Sequence, residues 1–376
     1  VQRLEPLAKG ATQAQRQARN QQQRAQTEAV LGWWVRRMVA AKNPLVEKLT
    51  FGWHQHFATS AARVRDAGAM LTQNERLRAL GRGRFPDLAV AMLTDPAMLV
   101  WLDGVKNRTG APNENLAREY LELFTLGHDG GYSESDVKEG ARALTGWTVD
   151  GGTARLVPRR HDSEPKTVLG VTGNLDAAGF ADAVLRHPAV AAHVATRWWR
   201  QLASPDAPPA QTLSRLVTAY GTQGELGPMF RALFTDPAFD AADGTLVASP
   251  VEWVIGAARA LRLPADEATA TTLSGMLRSL GQVPLYPPNV AGWPSGQAWL
   301  STSAAQARAR FAARLVAAGD LSSVEVAATA SRVEAVTHLL GIPRLSARSA
   351  AALRPLAGNP RRLATVALLS PEYLVS

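Results

Sequence analysis

Cysteine is absent from this 376-residue chain. That removes disulfides, thiolate metal sites and a cysteine nucleophile together. No apolar run of about 18 residues occurs, so no transmembrane segment is expected. Several chemical signatures are also missing: G-x-S-x-G, H-E-x-x-H, a P-loop, and G-x-G-x-x-G followed by an acidic residue. The serine hydrolase, zincin, nucleotidase and dinucleotide readings lose their footing with them. Zinc-finger spacing, an RNP-like segment and a dense Lys/Arg block are absent too, so nucleic acid is not the expected partner. No motif implies a cofactor.

What is present is ordinary for a large globular protein: 46% hydrophobic and 19% charged residues, with ten Trp within a 6% aromatic content. Lys and Arg outnumber Asp and Glu 41 to 32, a formal +9 that favours anionic partners without choosing among them.

The pattern reads as mainly α, a multi-helical globular fold. Residues 1–30, rich in Gln, Arg and Ala, are expected to form an exposed helical or partly ordered arm. Residues 31–376 are expected as one large helical domain, with two abutting lobes split near 176–205 as the alternative. Leu45, Leu49, Trp53 and Phe57 recur every four residues, with Pro44 suited to a first turn. Asn113 and Gly127 read as the two ends of a helix over about 114–126. Ser133 and Asp136 resemble a capping box, opening a helix that buries Val137, Ala141 and Leu144. Residues 147–175 hold Gly pairs, Thr and Val, which predict one small β-hairpin element with strands near Ala154–Val157 and Thr167–Leu169.

A phrase recurs: AMLTDPAML (91–99), RALFTDPAF (231–239) and VALLSPEYL (366–374). A repeated helix-to-helix turn explains it, since the residue before proline leaves the α region. Internal duplication is the other explanation.

Four constellations could carry chemistry. On the 114–126 helix, Asn115, Arg118, Glu119 and Glu122 share one face. Two carboxylates beside an arginine could divide acid and base roles, or form a solvated face with an ordinary Arg118–Glu122 pair. His54 and His56 lie about 200° apart on a helix, so a shared metal is not expected. One would pack near Trp53 and the other hydrogen-bond in a cleft, with Gln73 and Asn74 as polar neighbours. Arg159, Arg160, His161, Asp162 and Lys166 offer a base, an orienting carboxylate and cations for an anionic ligand; an exposed basic loop has the same composition. The segment 286–294, YPPNVAGWP, could present Trp293 to a sugar or close as a lid over the core.

At these residues the chain resembles one bacterial family, domain of unknown function 1800. FGWHQHFATS, LTQNERLR, DPAMLVWLDG, NENLAREYLELFTLG, YSESDVKEGARALTGW, RHDSEPKTVLG and PPNVAGWP follow in the order of that family. The resemblance covers roughly residues 33–315 and most of the rest. It implies an additional helical stretch before Val1 and an exported or envelope-associated protein. It also implies a neighbouring gene whose product is similar to the alkaline phosphatase and sulfatase superfamily. That neighbourhood suggests an anionic or carbohydrate polymer as ligand.

The expected function is therefore a hydrolase or lyase of an envelope polymer, with a non-catalytic binding or assembly module as the alternative. Glu119 is the first candidate for acid or base, partnered by His161 or His54, with Asp162 and Glu114 as further candidates. His56, Asn74, Asn113, Asn115, Arg118, Lys166 and Trp293 are candidates for substrate binding.

Overall fold

The computed structural model describes residue 4 and residues 10–242 and 244–375. The rest of the first nine residues of the expected arm lies outside the described residues. Among those described, the chain is mainly helical, with two separate two-stranded antiparallel sheets.

The arm and the domain are one continuous helix, Gln13–Ala40, started by a Thr12/Gln15 capping box. Its first half is exposed. Burial begins at Thr27 and Val30 and continues through Leu31, Trp34, Val35 and Met38, so the expected boundary at residue 30 falls inside a helix whose stripe is already turning inward.

The next helix, Pro44–His56, opens with the Asn43 side chain accepting from the Leu45 N–H and with proline in its first turn. The four-residue stripe is buried from Leu49 onward, whereas Leu45 stays 37% exposed. This helix serves two apolar clusters. One joins Leu31, Trp34 and Phe51 to Trp253, Leu273, Leu315 and Leu363. The other joins Leu49, Trp53 and Phe57 to Phe85, Tyr120, Phe124, Phe180, Trp198 and Phe230. Residues 176–205, where the alternative two-lobe reading would put a split, contribute Phe180, Val184, Val190 and Trp198 to the second cluster. Core residues alternate between the clusters up to Ala97, belong to the second from Met98 to Leu233, and return to the first from Val247.

The β territory holds two hairpins rather than one. Trp147–Asp150 pairs with Thr153–Leu156 across Gly151 and Gly152, both at positive φ. That is the backbone a two-residue hairpin turn requires, and glycine supplies it without steric cost. Lys166–Val168 pairs with Val171–Gly173 across Leu169 and Gly170. The sequence pattern placed the two strands one residue too late and did not reveal their partners.

The recurring TDP phrase marks more than a turn. Asp95 caps the Pro96–Trp101 helix, accepting from the Ala97 and Met98 N–H groups, and is held by Gln73 and Arg76. Asp236 caps Pro237–Ala241, accepting from Ala238 N–H, and is held by Thr212 and Arg215. In both cases the two holders stand three residues apart on the helix before last. The loops between the preceding helices pair reciprocally: Phe85 N–H donates to Gly224 O and Leu226 N–H to Gly83 O, at 2.8 and 2.9 Å. Residues 67–101 and 210–241 thus share one pattern of two helices and a carboxylate-capped third, and their loops pair reciprocally. The third phrase differs, because Ser370 makes no side-chain cap for Pro371–Leu374.

Candidate functional site

His54 and His56 are both buried, at 2% and 1% exposure. His54 Nε2 accepts from Leu285 N–H at 3.1 Å, and its ring stands edge-on to Trp34 and Trp293. Burial depresses its pKa to about 3. His56 Nε2 donates to Phe124 O at 2.9 Å, while its Nδ1 is buried without a partner. Burial, then the charges of Arg197 and His193, hold its pKa well below the usual value. The expected polar neighbours go elsewhere: Gln73 binds Asp95 and Thr59, and both polar atoms of the Asn74 side chain are buried and unpartnered.

The acidic helix departs from its sequence reading. Asn115–Glu119 is α-helical, but Tyr120–Thr125 forms a π-turn, closed by Leu126 N–H donating to Leu121 O. The wider turn leaves two carbonyls to outside donors. His56 takes Phe124 O, and His193 Nε2 takes Leu123 O at 3.0 Å. Two histidines from other helices therefore satisfy the irregular segment, the condition for a π-turn to persist in a core.

The expected Arg118–Glu122 pair does not form. Arg118 pairs with Glu114 and, through two bonds, with Glu134, rather than with Glu122. Glu122 accepts from the exposed His128 ring and lies 3.5 Å from the Tyr132 hydroxyl. Glu119 makes no hydrogen bond among the described residues; burial, and next the charge of Glu122, raise its pKa. Asn113 accepts from Asn115 N–H and donates its own N–H to Asn107.

In the basic loop, Asp162 is clamped bidentately by Arg142 at 2.8 and 3.1 Å. The Arg142 hydrogen bond holds Asp162 below the usual carboxylate range. Lys166, 1% exposed, donates to Asp162 O and Glu164 O at 2.6 and 2.8 Å. Those are its own loop's carbonyls. His161 Nδ1 lies 3.0 Å from Thr145 O and so donates to it, and Asp162 does not orient the ring. Arg142 ties the loop to the Glu134–Ala143 helix through Asp162, while Pro158, Arg159 and residues 163–165 stay exposed.

Trp293 is 5% exposed and stacks on Phe51 with centroids 5.5 Å apart. The Pro-rich loop is a lid over the Pro44–His56 helix, so Trp293 offers no free face for a sugar. Gly292, at φ 89°, lets the lid close: a Cβ there would stand 2.8 Å from Gln55 O.

The candidates thus fall into separate groups: His54 with Trp293, His56 with the π-turn, Glu114 with Arg118, and Asp162 with Lys166. The sequence reading missed His193, Arg142, Asn107 and a cleft of about 310 Å³ where the two apolar clusters meet. Phe51, Gly52, Trp198, Ile255 and Trp299 line it, with Lys48, Glu252, Arg200 and Gln201 as polar groups. Of the candidate constellations only the 286–294 segment reaches it, through Pro294, and distant packing defines the rest. Among the described residues, no three His, Asp or Glu side chains gather closely enough to hold a metal ion, and no helix is long and apolar enough to cross a membrane.

Fold and site together define a two-cluster helical protein with capped, heavily cross-tied polar groups and one inter-cluster cleft. The chain matches the family described as Protein of unknown function (DUF1800) over residues 2–375, and it belongs to that family. Neither a curated protein nor a solved structure matches it.

Proposed function

We propose that this chain is a non-catalytic binding and assembly module of the bacterial cell envelope. One observation carries the reading: the histidines and Asp162, the partners that acid–base work would need, are already engaged in holding the fold. His54 is taken by Leu285 N–H, His56 by Phe124 O, His161 Nδ1 by Thr145 O, and Asp162 by Arg142. A general base needs a lone pair aimed at substrate, and these groups do not converge on one opening. The cleft between the clusters is the natural docking position, because it is apolar, recessed and edged by a few polar groups. The net charge of +9 and the family resemblance support an anionic or carbohydrate polymer as ligand and an extracytoplasmic location. The resemblance also supports a phosphatase- or sulfatase-like protein as partner.

The hydrolase or lyase reading keeps one favourable observation, the Glu119 carboxyl with its raised pKa and no hydrogen bond. Incubation with acidic and neutral polysaccharides decides between them. The module reading expects retention of the protein on polymer, with no new reducing ends and no unsaturated uronate. Product that disappears in Glu119→Gln overturns it.

A further inference from the structure

Arg197 sits in the helix Ala189–Leu202, half-buried, with no acidic partner and no hydrogen bond among the described residues. Its Nε is sealed from solvent and unpaired. Arg308 also has a buried, unpaired Nε, but its terminal nitrogens find acceptors, as those of the other inward arginines do. Arg78 reaches Glu47, Arg142 reaches Asp162, Arg308 donates to Trp299 O, and Arg259 donates to Met38 O and Val39 O. Burying that Arg197 nitrogen unpaired is costly, while the two terminal nitrogens of the fork keep their access to solvent.

The surroundings add to the cost. The charged and titratable groups that act on Arg197, His56 and His193 are one another and Arg200, all of them basic. Gln201 lies one turn beyond Arg197 on the same face, and Gln201 and Arg200 both stand on the rim of the inter-cluster cleft. Arg197 is not itself a wall of the cleft; it stands one turn along the helix from Gln201 and feels the charge of a second cation, Arg200.

We infer that Arg197 anchors an oxyanion-binding site, taking a carboxylate, sulfate or phosphate group of a ligand entering by the cleft rim, with Arg200 as the outer cation. The planar fork of Arg197 matches such a group bidentately. The anionic polymer as occupant rests on the binding-module reading; the oxyanion site itself does not.

The test uses the full chain and two probes, inorganic phosphate and an oligo-uronate, against sodium chloride at matched ionic strength. Thermal unfolding and titration calorimetry are read for wild type, Arg197→Met and Arg197→Lys. Each ligand that binds the native state raises Tm. The expected result is a rise in wild type, an affinity reduced on the order of tenfold in Arg197→Met, and a smaller reduction in Arg197→Lys, which keeps the charge but loses the fork. Without added oxyanion, Arg197→Met melts at or above wild type. A response to oligo-uronate but not phosphate assigns the site to the polymer; a response to both assigns it to the oxyanion as such.

Equal affinity in wild type and both variants overturns the inference, as does a wild type that neither probe stabilises beyond chloride. Should Arg197→Met fail to fold, the Lys variant alone decides. Cleavage of the polymer by a wild type whose anion binding still depends on Arg197 would remove the module reading and leave the site. Polymer retention unaffected by Arg197→Met would do the reverse.

Discussion

His54 and His56, two residues apart on one helix, use the same ring nitrogen in opposite ways: Nε2 of His54 accepts a hydrogen bond and Nε2 of His56 donates one. Two positions turn a helix by about 200°, so the rings enter different surroundings. His54 meets the Pro-rich lid, and His56 meets the π-turn. Each ring's tautomer is fixed by the backbone group it serves.

The first prediction follows directly. At neutral pH His54 carries its proton on Nδ1 and His56 on Nε2, which long-range 1H–15N spectra of the imidazoles distinguish. Both rings stay neutral at pH 5. Because the folded pKa of His54 is depressed from 6.5 to about 3, its contribution to stability is present above pH 6.5 and is lost as pH falls through that window. The slope it adds is about 1.4 kcal/mol per pH unit. Urea titrations of wild type and His54→Gln measure it. An imidazolium signal from His54 at pH 5 would contradict the assignment.

The two capping aspartates make opposite pH predictions from similar positions. Burial raises Asp95 to about 6, against the pull of its backbone hydrogen bonds and Arg76. Its favourable contribution is therefore complete below pH 3.8 and is lost as pH rises through 6. Asp236, held below its usual value first by Arg215, contributes above pH 3.8 and loses that contribution on acidification. Relative to wild type, Asp95→Asn should gain up to about 3 kcal/mol between pH 4 and pH 7. Asp236→Asn should show a trend of the other sign. Parallel curves for the two variants would refute the distinction.

What could be read in the residues was local. Ser133 and Asp136 form the capping box they suggested, and Gly151–Gly152 closes a hairpin in the stretch where a hairpin was expected. The π-turn was not readable, because its stability depends on His56 and His193, lying 68 and 70 positions from the carbonyls they serve. The same limit hid the fate of Glu122, whose expected partner Arg118 pairs with the distant Glu134 instead. The Trp293 burial needed the Phe51 ring opposite it, and no spacing rule carries that information. The TDP echo was visible, but its second half, Gln73/Arg76 against Thr212/Arg215, emerges only when the side chains are seen to hold matching carboxylates.

Lys166 supplies a prediction about its loop. Its ammonium donates to two carbonyls of its own loop while the side chain is buried. Lys166→Met fits the volume but leaves both carbonyls without that donor, costing about 1–3 kcal/mol. Hydrogen exchange should quicken in residues 158–166 and leave the Pro44–His56 helix protected. Uniform loss of protection throughout the chain would mean that the loop is no separate unit.

Gly52 permits the close approach of the Ala189–Leu202 helix to the Pro44–His56 helix. It lies inside the Pro44–His56 helix, where glycine costs about 1 kcal/mol relative to alanine, so propensity alone favours replacement. Yet a Cβ there would stand 2.4 Å from a Trp198 ring carbon and 2.6 Å from Gln201 Oε1. The clash must push the Ala189–Leu202 helix outward, which costs about 1–3 kcal/mol of overpacking and exceeds the propensity gain. Gly52→Ala should therefore lower stability and reshape the cleft, of which Gly52, Trp198 and Gln201 are all walls. Trimming the ring should relieve it: in a double-mutant cycle, Gly52→Ala is less damaging in a Trp198→Leu background than in wild type. Additive losses would show that the close approach of these helices is not what keeps position 52 without a side chain.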